Sequence, residues 1–404
     1  MPWRERSTMS ERLAFVQACL DRATRMEEIC ARFGVSEKTG YKLLRRFRSE
    51  GMAGLAERSH ARHTQAHRMS AEVAAAIVAL RKKHRLYGPV KLRDWLMQHD
   101  PERHWPAASS IGALLHRAGL IAPRRRRPSG TRALSGRTAA TAPNHVWTAD
   151  FKGEFRLTSG PYCYPLTVLD LHSHCLLDCV AQTTTAVAPA RAAFVRLFRT
   201  YGLPDVLRTD NGVPFAQPNA LGRLGALAFW WVRLGIRPEH TTPATPSENG
   251  AHERFHKTLK AATTQPAAPS LTAQQRRFDH FRAEYNTERP HASLPQHRPP
   301  AQLYTPSPRA YPARLPALWY PAATDVRLVS ASGVLKWRNH RVFLSTNLAG
   351  QYVGLAETVA DLVTIRYAAL ALGELDLHTH EFTPRVRWID APTSESSYCT
   401  ASPG

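Results

Sequence analysis

Apolar residues recur at helical spacing through the first part of the chain. Leu13, Val16 and Leu20 fall on one face of a predicted helix, and Ser10 is a suitable cap at its start. A second helix is predicted over residues 26–33. Short amphipathic helices in succession are typical of a small helical domain that buries one side of each helix.

A glycine turn leads from the second helix into a basic third helix. Gly34 suits a left-handed helix end, and Ser36 suits the N-cap of the helix that follows. This order is that of a helix-turn-helix domain, whose last helix enters the major groove of DNA. The alternative is a three-helix bundle with a solvated basic face. We predict a DNA-binding domain over 8–60, with candidate contacts Ser36, Lys38, Thr39, Tyr41, Lys42, Arg45 and Arg46.

Residues 68–122 repeat the helical pattern more weakly. A second helical set starts at Ser70, where Val73, Ile77, Leu80 and His84 share a face, and further helices are predicted over 90–98 and 106–120. We interpret this region as a second helix-turn-helix-like domain. A basic linker over 123–143 follows, and its run Arg124, Arg125, Arg126 and Arg127 suits phosphate contacts or a solvated tether.

The pattern changes to strands at residue 144. Short apolar strands are predicted at 145–151, 164–171, 175–180 and 206–209, followed or separated by helices at 188–201, 221–234, 249–262 and 271–285. Strands that alternate with helices favour an α/β layer domain, which we place at 144–305.

A second run of short strands follows a proline-rich segment. The strands predicted at 326–329, 334–337, 341–344, 352–355 and 362–367 are separated by glycine or asparagine turns. We expect a small barrel-like β domain over 323–384 and a disordered tail over 385–404. Together these elements predict a multidomain α and α/β chain.

Charge adds a candidate partner to this picture. The 404 residues carry 54 Lys and Arg against 32 Asp and Glu, and residues 1–143 hold 16 of the 22 excess positive charges. A basic front end favours a polyanion such as nucleic acid, although a generally basic proteome is the alternative.

Composition also bears on the compartment. The longest apolar run, 224–232, is too short to cross a bilayer, and the N-terminus lacks a secretory apolar core. Six irregularly spaced cysteines do not form a disulfide framework. We therefore expect a cytoplasmic protein without a membrane partner.

Three carboxylates have contexts that suit metal-dependent phosphoryl transfer. Asp150 lies in the first strand of the α/β domain, Asp210 ends another strand before an Asn-Gly turn, and Glu253 lies near the start of a helix. Carboxylates from such positions can converge on Mg²⁺, and two such ions can hold the attacking and leaving oxygens of an in-line displacement. Lys257 and Lys260 share a helix face with Glu253.

The chain resembles insertion-sequence transposases of the Asp-Asp-Glu group, whose RNase H-like core is similar to that of retroviral integrases. Trp147-x-x-Asp150-Phe-Lys152 resembles the first motif of that family, and Thr209-Asp210-Asn-Gly212 the second. The third is Pro243-x-x-Pro246-x-x-Asn249-Gly-x-x-Glu253-Arg-x-His256-x-Thr-Leu-Lys260, and Tyr285-Asn286-x-x-Arg289-Pro-His291-x-x-Leu294 resembles the segment that closes such cores.

The resemblance implies a function and a set of site residues. Asp150, Asp210 and Glu253 would be the catalytic and metal-binding triad for two Mg²⁺ ions, which Mn²⁺ can replace. Asn249, Lys257 and Lys260 would contact DNA. The chain would bind the terminal repeats of a bacterial insertion sequence and join them to target DNA as a homo-oligomer. The β domain would contact DNA or a second subunit.

Two features depart from the family pattern. The segment before Glu253 is longer than in retroviral integrases, and 218–224 is interpreted as an inserted turn. Glu248 adds a second carboxylate close to the third motif, and it is the rival of Glu253.

Other functions remain open at this stage. The triad core could belong to a catalytically inactive DNA-binding protein. His252-Glu253-Arg-Phe-His256 also matches the zinc-protease pattern H-E-x-x-H, with Glu284 or Glu288 as a possible third ligand. A further zinc alternative groups His172, His174, Cys175 and Cys179, although turn and core roles explain them equally.

Overall fold

The computed structural model describes residues 8–21, 23–58, 69–122, 137–241, 250–321, 324–358, 361–389 and 398–400. The chain divides into two compact units, Met1–Met69 and Ser70–Gly404. The helices are α1 (Thr8–Leu20), α2 (Met26–Phe33), α3 (Glu37–Glu50), α4 (Ala71–Lys83), α5 (Pro89–His99), α6 (Ala108–Arg117), α7 (Val187–Tyr201), α8 (Ala226–Arg233), α9 (Gly250–Thr263) and α10 (Leu271–Thr287).

The strands fall into a central group and a C-terminal group. The central strands are β1 (Val146–Phe151), β2 (Phe155–Arg156), β3 (Tyr162–Asp170), β4 (Leu176–Gln182), β5 (Val206–Thr209) and β6 (Arg237–His240). The later strands are β7 (Trp319–Pro321), β8 (Asp325–Leu328), β9 (Val334–Trp337), β10 (His340–Phe343), β11 (Tyr352–Glu357), β12 (Leu362–Tyr367), β13 (Leu370–Asp376), β14 (Phe382–Trp388) and β15 (Tyr398–Thr400).

The first unit is a three-helix domain whose turn follows the predicted chemistry. Gly34 adopts φ 64° at the end of α2, and its backbone N–H bonds back to the helix. The Ser36 side chain accepts from the backbone N–H of Thr39 and so caps α3. The expected cap at Ser10 is wrong, because α1 is already helical at Thr8.

Close packing in this unit depends on a glycine inside α3. A Cβ atom on Gly40 would lie 2.7 Å from Cys30 Sγ and 2.9 Å from a ring carbon of Phe15. Both neighbours are buried. Any side chain at residue 40 would therefore push α3 away from α1 and α2.

The second helical region, α4 to α6, belongs to the same compact unit as the sheet. The helical set starts at Ser70 as predicted, and the Ser70 side chain caps α4 by accepting from the backbone N–H of Val73. His84 Nδ1 lies 2.9 Å from Glu284 Oε1, and His297 Nδ1 lies 2.8 Å from Asp94 Oδ2. These contacts between residues about 200 positions apart hold the α4–α5 region against α10 and the segment that follows it.

The central sheet is mixed and has helices on both faces. Its order is β2-β3-β1-β5-β6, with β4 paired to β3. β1 runs parallel to β5 and antiparallel to β3, and β6 runs parallel to β5. This arrangement confirms the predicted RNase H-like core. The Pro-containing strand β6 was expected to be loop, and α8 is shorter than the predicted helix at 221–234.

Side chains of β1 alternate between two hydrophobic layers. Trp147 and Ala149 point into the layer formed with α7 and α8. Thr148 and Asp150, which alternate with them, point to the opposite face of the sheet. On that face, Phe255 of α9 and Phe278 of α10 form the second hydrophobic layer. Asp150 therefore lies on the same side of the sheet as α9.

The C-terminal region is an antiparallel sheet packed on the central core. Its order is β14-β13-β12-β11-β8, beside a two-stranded pair β10-β9. The rings of Phe229 on α8 and Tyr367 on β12 meet edge to face at 5.5 Å. Strand β14 continues to Trp388, which corrects the expected start of a tail at residue 385.

No helix within the described ranges combines the length and apolar character of a transmembrane span.

Two helical glycines should respond in opposite directions to alanine. Gly40→Ala should destabilise the first unit by about 1–3 kcal/mol through overpacking. Gly112→Ala meets only an ordinary contact, 3.5 Å from Pro89 Cγ, and should stabilise α6 by about 0.5–1 kcal/mol. Hydrogen exchange of the full chain, read separately over α1–α3 and α4–α6, measures both effects. Equal protection of α1–α3 in wild type and Gly40→Ala would contradict the packing explanation.

Candidate active site

The β1–β5 pairing brings two of the predicted carboxylates together. Ala149 pairs with Thr209 in the parallel ladder, and Asp150 and Asp210 are the next residues on each strand. Neighbouring strands lie about 4.8 Å apart. The two aspartates therefore start from adjacent backbone positions at the carboxyl ends of parallel strands.

Asp210 is held by the turn that follows β5. Its Oδ1 accepts a hydrogen bond of 3.1 Å from the backbone N–H of Gly212. Asn211 donates its side-chain amide to Thr241 O, which fixes the turn against the end of β6. Burial raises the pKa of Asp210, and the Gly212 bond and His240 lower it to a smaller extent. A partly desolvated carboxylate interacts strongly with any cation placed beside it.

Helix α9 has one buried face and one exposed face, and Glu253 lies on the exposed face. His252, Phe255 and Leu259 are buried against the sheet. Glu253, Lys257 and Lys260 are exposed, as their predicted common face requires. Glu253 is in the first turn of α9, where the helix dipole favours a negative charge.

The Thr167 hydroxyl joins β3, β1 and α9. It donates to the backbone oxygen of Asp150 at 3.0 Å, and its oxygen lies 2.9 Å from Nε2 of both His252 and His256. Because its single proton goes to the carbonyl, both imidazoles must donate from Nε2. Three hydrogen bonds at one oxygen therefore fix α9 beside Asp150.

The same hydrogen-bond assignment determines the partners of the two Nδ1 atoms. His252 Nδ1 is left to accept from Thr148 Oγ1 at 3.3 Å. His256 Nδ1 lies 3.9 Å from Asp150 Oδ2, which is too far for a direct hydrogen bond. Burial lowers the pKa of His256 to about 4 and that of His252 well below its usual value, so both rings are neutral at pH 7.

Family models match this part of the chain and the helices before it. Two models described as integrase core domain match residues 140–246 and 234–300. A helix-turn-helix domain model matches 11–63, and a homeodomain-like domain model matches 39–115. The chain contains an integrase core domain. The residues before it match the helix-turn-helix and homeodomain-like models.

Curated relatives match about a third of the chain. The chain is 27% identical over 129 residues to the Pol polyprotein of feline endogenous virus ECE1. It is 28% identical over 136 residues to the Gag-Pol polyprotein of baboon endogenous virus strain M7. These matches cover 32% and 33% of the chain but only 12% and 7% of the polyproteins.

Solved structures with similarity include two from T-cell leukaemia-type viruses. The HTLV-2 integrase catalytic core domain in complex with magnesium has a TM-score of 0.32 at 16% identity, covering 41% of this chain and 100% of that one. The simian T-cell lymphotropic virus intasome in complex with a PP2A regulatory subunit has a TM-score of 0.33 at 16% identity, covering 81% and 99%.

The geometry of the integrase core argues against the zinc-protease alternative. The expected third ligands are wrong, because Glu284 lies 2.9 Å and Glu288 3.9 Å from His84. Among the described residues, one group can bring three ligand atoms within 4.8 Å, namely Asp150, His252 and His256. Its two Nε2 atoms already converge on the Thr167 hydroxyl, where a protease would hold zinc.

The second zinc alternative also fails in the described structure. Among the described residues, His172, His174, Cys175 and Cys179 do not bring three ligand atoms within 4.8 Å of one another. His172 lies 3.4 Å from the backbone oxygen of Ala140, and the ring of His174 stacks on His291 at 4.3 Å. These residues have turn and core roles.

The candidate DNA contacts fall into three groups. On α3 and its cap, Ser36, Lys38, Thr39, Tyr41, Lys42 and Arg45 are exposed, and Arg46 is half-buried. Lys257 and Lys260 are exposed on α9. Arg124–Arg127, Asn249 and the rival carboxylate Glu248 lie outside the described residues.

Sequence reasoning missed Thr167 and Asp170, which support the site. Buried Asp170 accepts from the backbone N–H of Asn144 at 2.7 Å and from the Ser173 hydroxyl at 2.6 Å. It thereby ties the segment before β1 to the β3–β4 turn. The sequence contains a signal for both residues, because each is a polar residue inside the apolar strand Leu-Thr-Val-Leu-Asp at 166–170.

Removing the Thr167 hydroxyl should loosen α9. Thr167→Val leaves two imidazole N–H groups without their acceptor, at about 1–3 kcal/mol for each buried group. Thr167→Ser retains the oxygen and is the matched control. Thermal unfolding together with hydrogen exchange over 250–263 measures the change. Equal exchange of α9 in the two variants would show that the hydroxyl does not hold the helix.

Proposed function

We propose that this chain is an insertion-sequence DNA transposase that cleaves element ends and joins them to target DNA. The adjacent placement of Asp150 and Asp210, with α9 fixed over the same sheet face, is the observation that carries the proposal. The integrase core and the preceding helix-turn-helix domains supply the reaction class and the DNA recognition that it needs.

The three carboxylates are donors of the type that magnesium takes, although among the described residues Asp150 comes within 4.8 Å of ligand atoms of His252 and His256 and not of Asp210 and Glu253 together. Mg²⁺ prefers carboxylate oxygens together with water and phosphate ligands. Asp150, Asp210 and Glu253 are the carboxylates that would hold two Mg²⁺ ions, and the desolvation of Asp210 favours a bound cation. Mn²⁺ would substitute, since it accepts both the carboxylates and a nearby imidazole nitrogen such as His256 Nδ1. Bound ions would polarise the scissile phosphate and the attacking oxygen.

The protein's own groups would position the DNA strands. Lys257 and Lys260 lie one and two turns beyond Glu253 on its exposed face, where their ammonium groups can neutralise backbone phosphates. The Thr167 hydrogen bonds hold α9, and with it Glu253, at a fixed height above β1. A water would attack first to release a DNA 3′-hydroxyl, which would then attack the target phosphate without a covalent enzyme intermediate.

We propose DNA recognition by α3 and by the basic linker over 123–143. The exposed arginine and polar side chains of α3 would read base edges, and its lysine and arginine residues would also hold phosphates. Arg124–Arg127 would add phosphate contacts. We further propose a homo-oligomer on DNA, a bacterial nucleoid-associated location in the cytoplasm, and DNA or subunit contacts for the C-terminal sheet.

A strand-transfer assay tests the activity. Full-length protein, Mg²⁺, a labelled duplex carrying the element end read from DNA flanking the gene, and a supercoiled target should give joined product. Asp210→Asn and Glu253→Gln should reduce that product to background while end binding persists. Glu248→Gln is the control for the rival carboxylate and should retain activity.

Two outcomes would change this assignment. Strand transfer by Asp210→Asn at the wild-type level would overturn the proposed triad. Tight end binding without product in Mg²⁺ or Mn²⁺ would favour a catalytically inactive DNA-binding protein derived from a transposase.

Binding by α3 can be measured without catalysis. Lys42→Ala with Arg45→Ala should weaken binding to the element end by about tenfold or more, since a good base contact contributes about 1–3 kcal/mol of discrimination. Exposed Arg25, which precedes α2, offers a control through Arg25→Ala. An equal loss on specific and random duplexes would indicate phosphate contacts alone.

A further inference from the structure

A basic groove lies between the second helical region and the integrase core. Its volume is about 540 Å³. The α4–α5 connection and the start of α5 form one wall, through Leu86 and Lys91. Thr148 on β1 and His174 in the β3–β4 turn form the floor. Helix α9 and the segment 285–293 form the opposite wall.

The groove concentrates positive charge. Lys91, Arg254, Lys257 and Arg289 all line it. These four cations come from three different parts of the chain, so their convergence is a product of the tertiary fold. No carboxylate is among the described residues that line the groove. The lining therefore presents at least four formal positive charges and no formal negative charge.

The surrounding contacts hold these cations in place without neutralising them. Lys91 donates its ammonium to the backbone oxygen of Pro290. The guanidinium of Arg289 lies 5.3 Å from the centre of the Tyr87 ring. Both partners are uncharged. The two groups thus stay positioned at the groove while their charge is left for a ligand.

Nearby carboxylates are bound to other groups. Asp94 pairs with His297 at 2.8 Å, and Glu284 pairs with His84 at 2.9 Å. Burial, and secondarily the charge of Arg289, lowers the pKa of Lys91 to about 8. Cations that destabilise one another in this way would gain from a bound anion.

The groove adjoins the candidate active site through α9. His252 lines the groove and also contacts Thr167 beside Asp150. Thr148, in the groove floor, is two residues before Asp150 on β1. A polyanion in the groove would consequently run alongside the helix that carries Glu253.

We propose that this groove binds the phosphodiester backbone of DNA and guides the strand to the carboxylates. The proposal rests on the proposed function, because it assigns DNA as the anion. It gives the second helical region the role of a clamp that closes on the strand together with the core. A DNA backbone, with one phosphate per nucleotide, matches a line of cations spread along a groove.

The salt dependence of DNA binding tests this assignment. Arg289→Gln and Lys91→Gln are made in the full chain, and duplex binding is followed by fluorescence anisotropy over a salt series with EDTA present. Each variant should weaken binding about five- to tenfold and lower the slope of log K against log salt by about 1, as expected for one lost phosphate contact. Arg289→Lys retains the charge and should restore the slope.

A matched arginine on the opposite face of the sheet serves as control. Arg199 on α7 lies over the Tyr311 ring at 5.9 Å, as Arg289 lies over Tyr87. Arg199→Gln removes the same charge and should leave the slope unchanged. Slopes of Arg289→Gln and Lys91→Gln equal to that of Arg199→Gln would overturn the proposal. So would failure of Arg289→Lys to restore the slope, since that indicates a structural role.

The salt dependence of DNA binding tests the groove separately from the proposed strand-transfer activity. Binding in EDTA requires no metal and no chemistry, so a chain that lacks strand transfer can still show the groove's contribution. Conversely, strand transfer together with unchanged salt slopes would retain the transposase assignment and exclude the groove as a DNA site.

Discussion

The parallel pairing of β1 with β5 is the constraint on which the site depends. It sets Asp150 beside Asp210 at the carboxyl ends of two neighbouring strands. A one-residue slip in that ladder would turn one aspartate toward the hydrophobic layer formed with α7 and α8. The apolar residues that alternate with Asp150 on β1, Trp147 and Ala149, are fully buried and so prevent the slip.

The Thr167 hydroxyl extends that constraint from the sheet to α9. Thr167 pairs with Asp150 across the β1–β3 ladder, and its hydroxyl binds both histidines of the helix. The H-E-x-x-H pattern therefore has a mechanical role in this fold. Its two imidazoles orient the helix, and the glutamate between them is exposed.

The same fold creates a basic path beside the carboxylates. The α4–α5 connection and α5 pack on the segment after α10, and this packing places Lys91 near Arg289. A core that handles DNA needs its cations arranged along the strand, because phosphate contacts position DNA without reading its sequence. The clamp role proposed for the second helical region follows from that arrangement.

The sequence by itself determined most of the local elements and the residues that are candidates for the chemistry. Ser36 and Gly34 act as the predicted caps because capping depends on neighbouring backbone groups only. Strand β6 escaped prediction because Arg-Pro-Glu-His has no apolar alternation, and its parallel partner β5 supplies the pairing. Only the tertiary structure decided that Thr167 joins the two histidines to Asp150, and that Lys91 meets Arg289. Those contacts join residues 85 to about 200 positions apart, and their geometry depends on packing that no local pattern encodes.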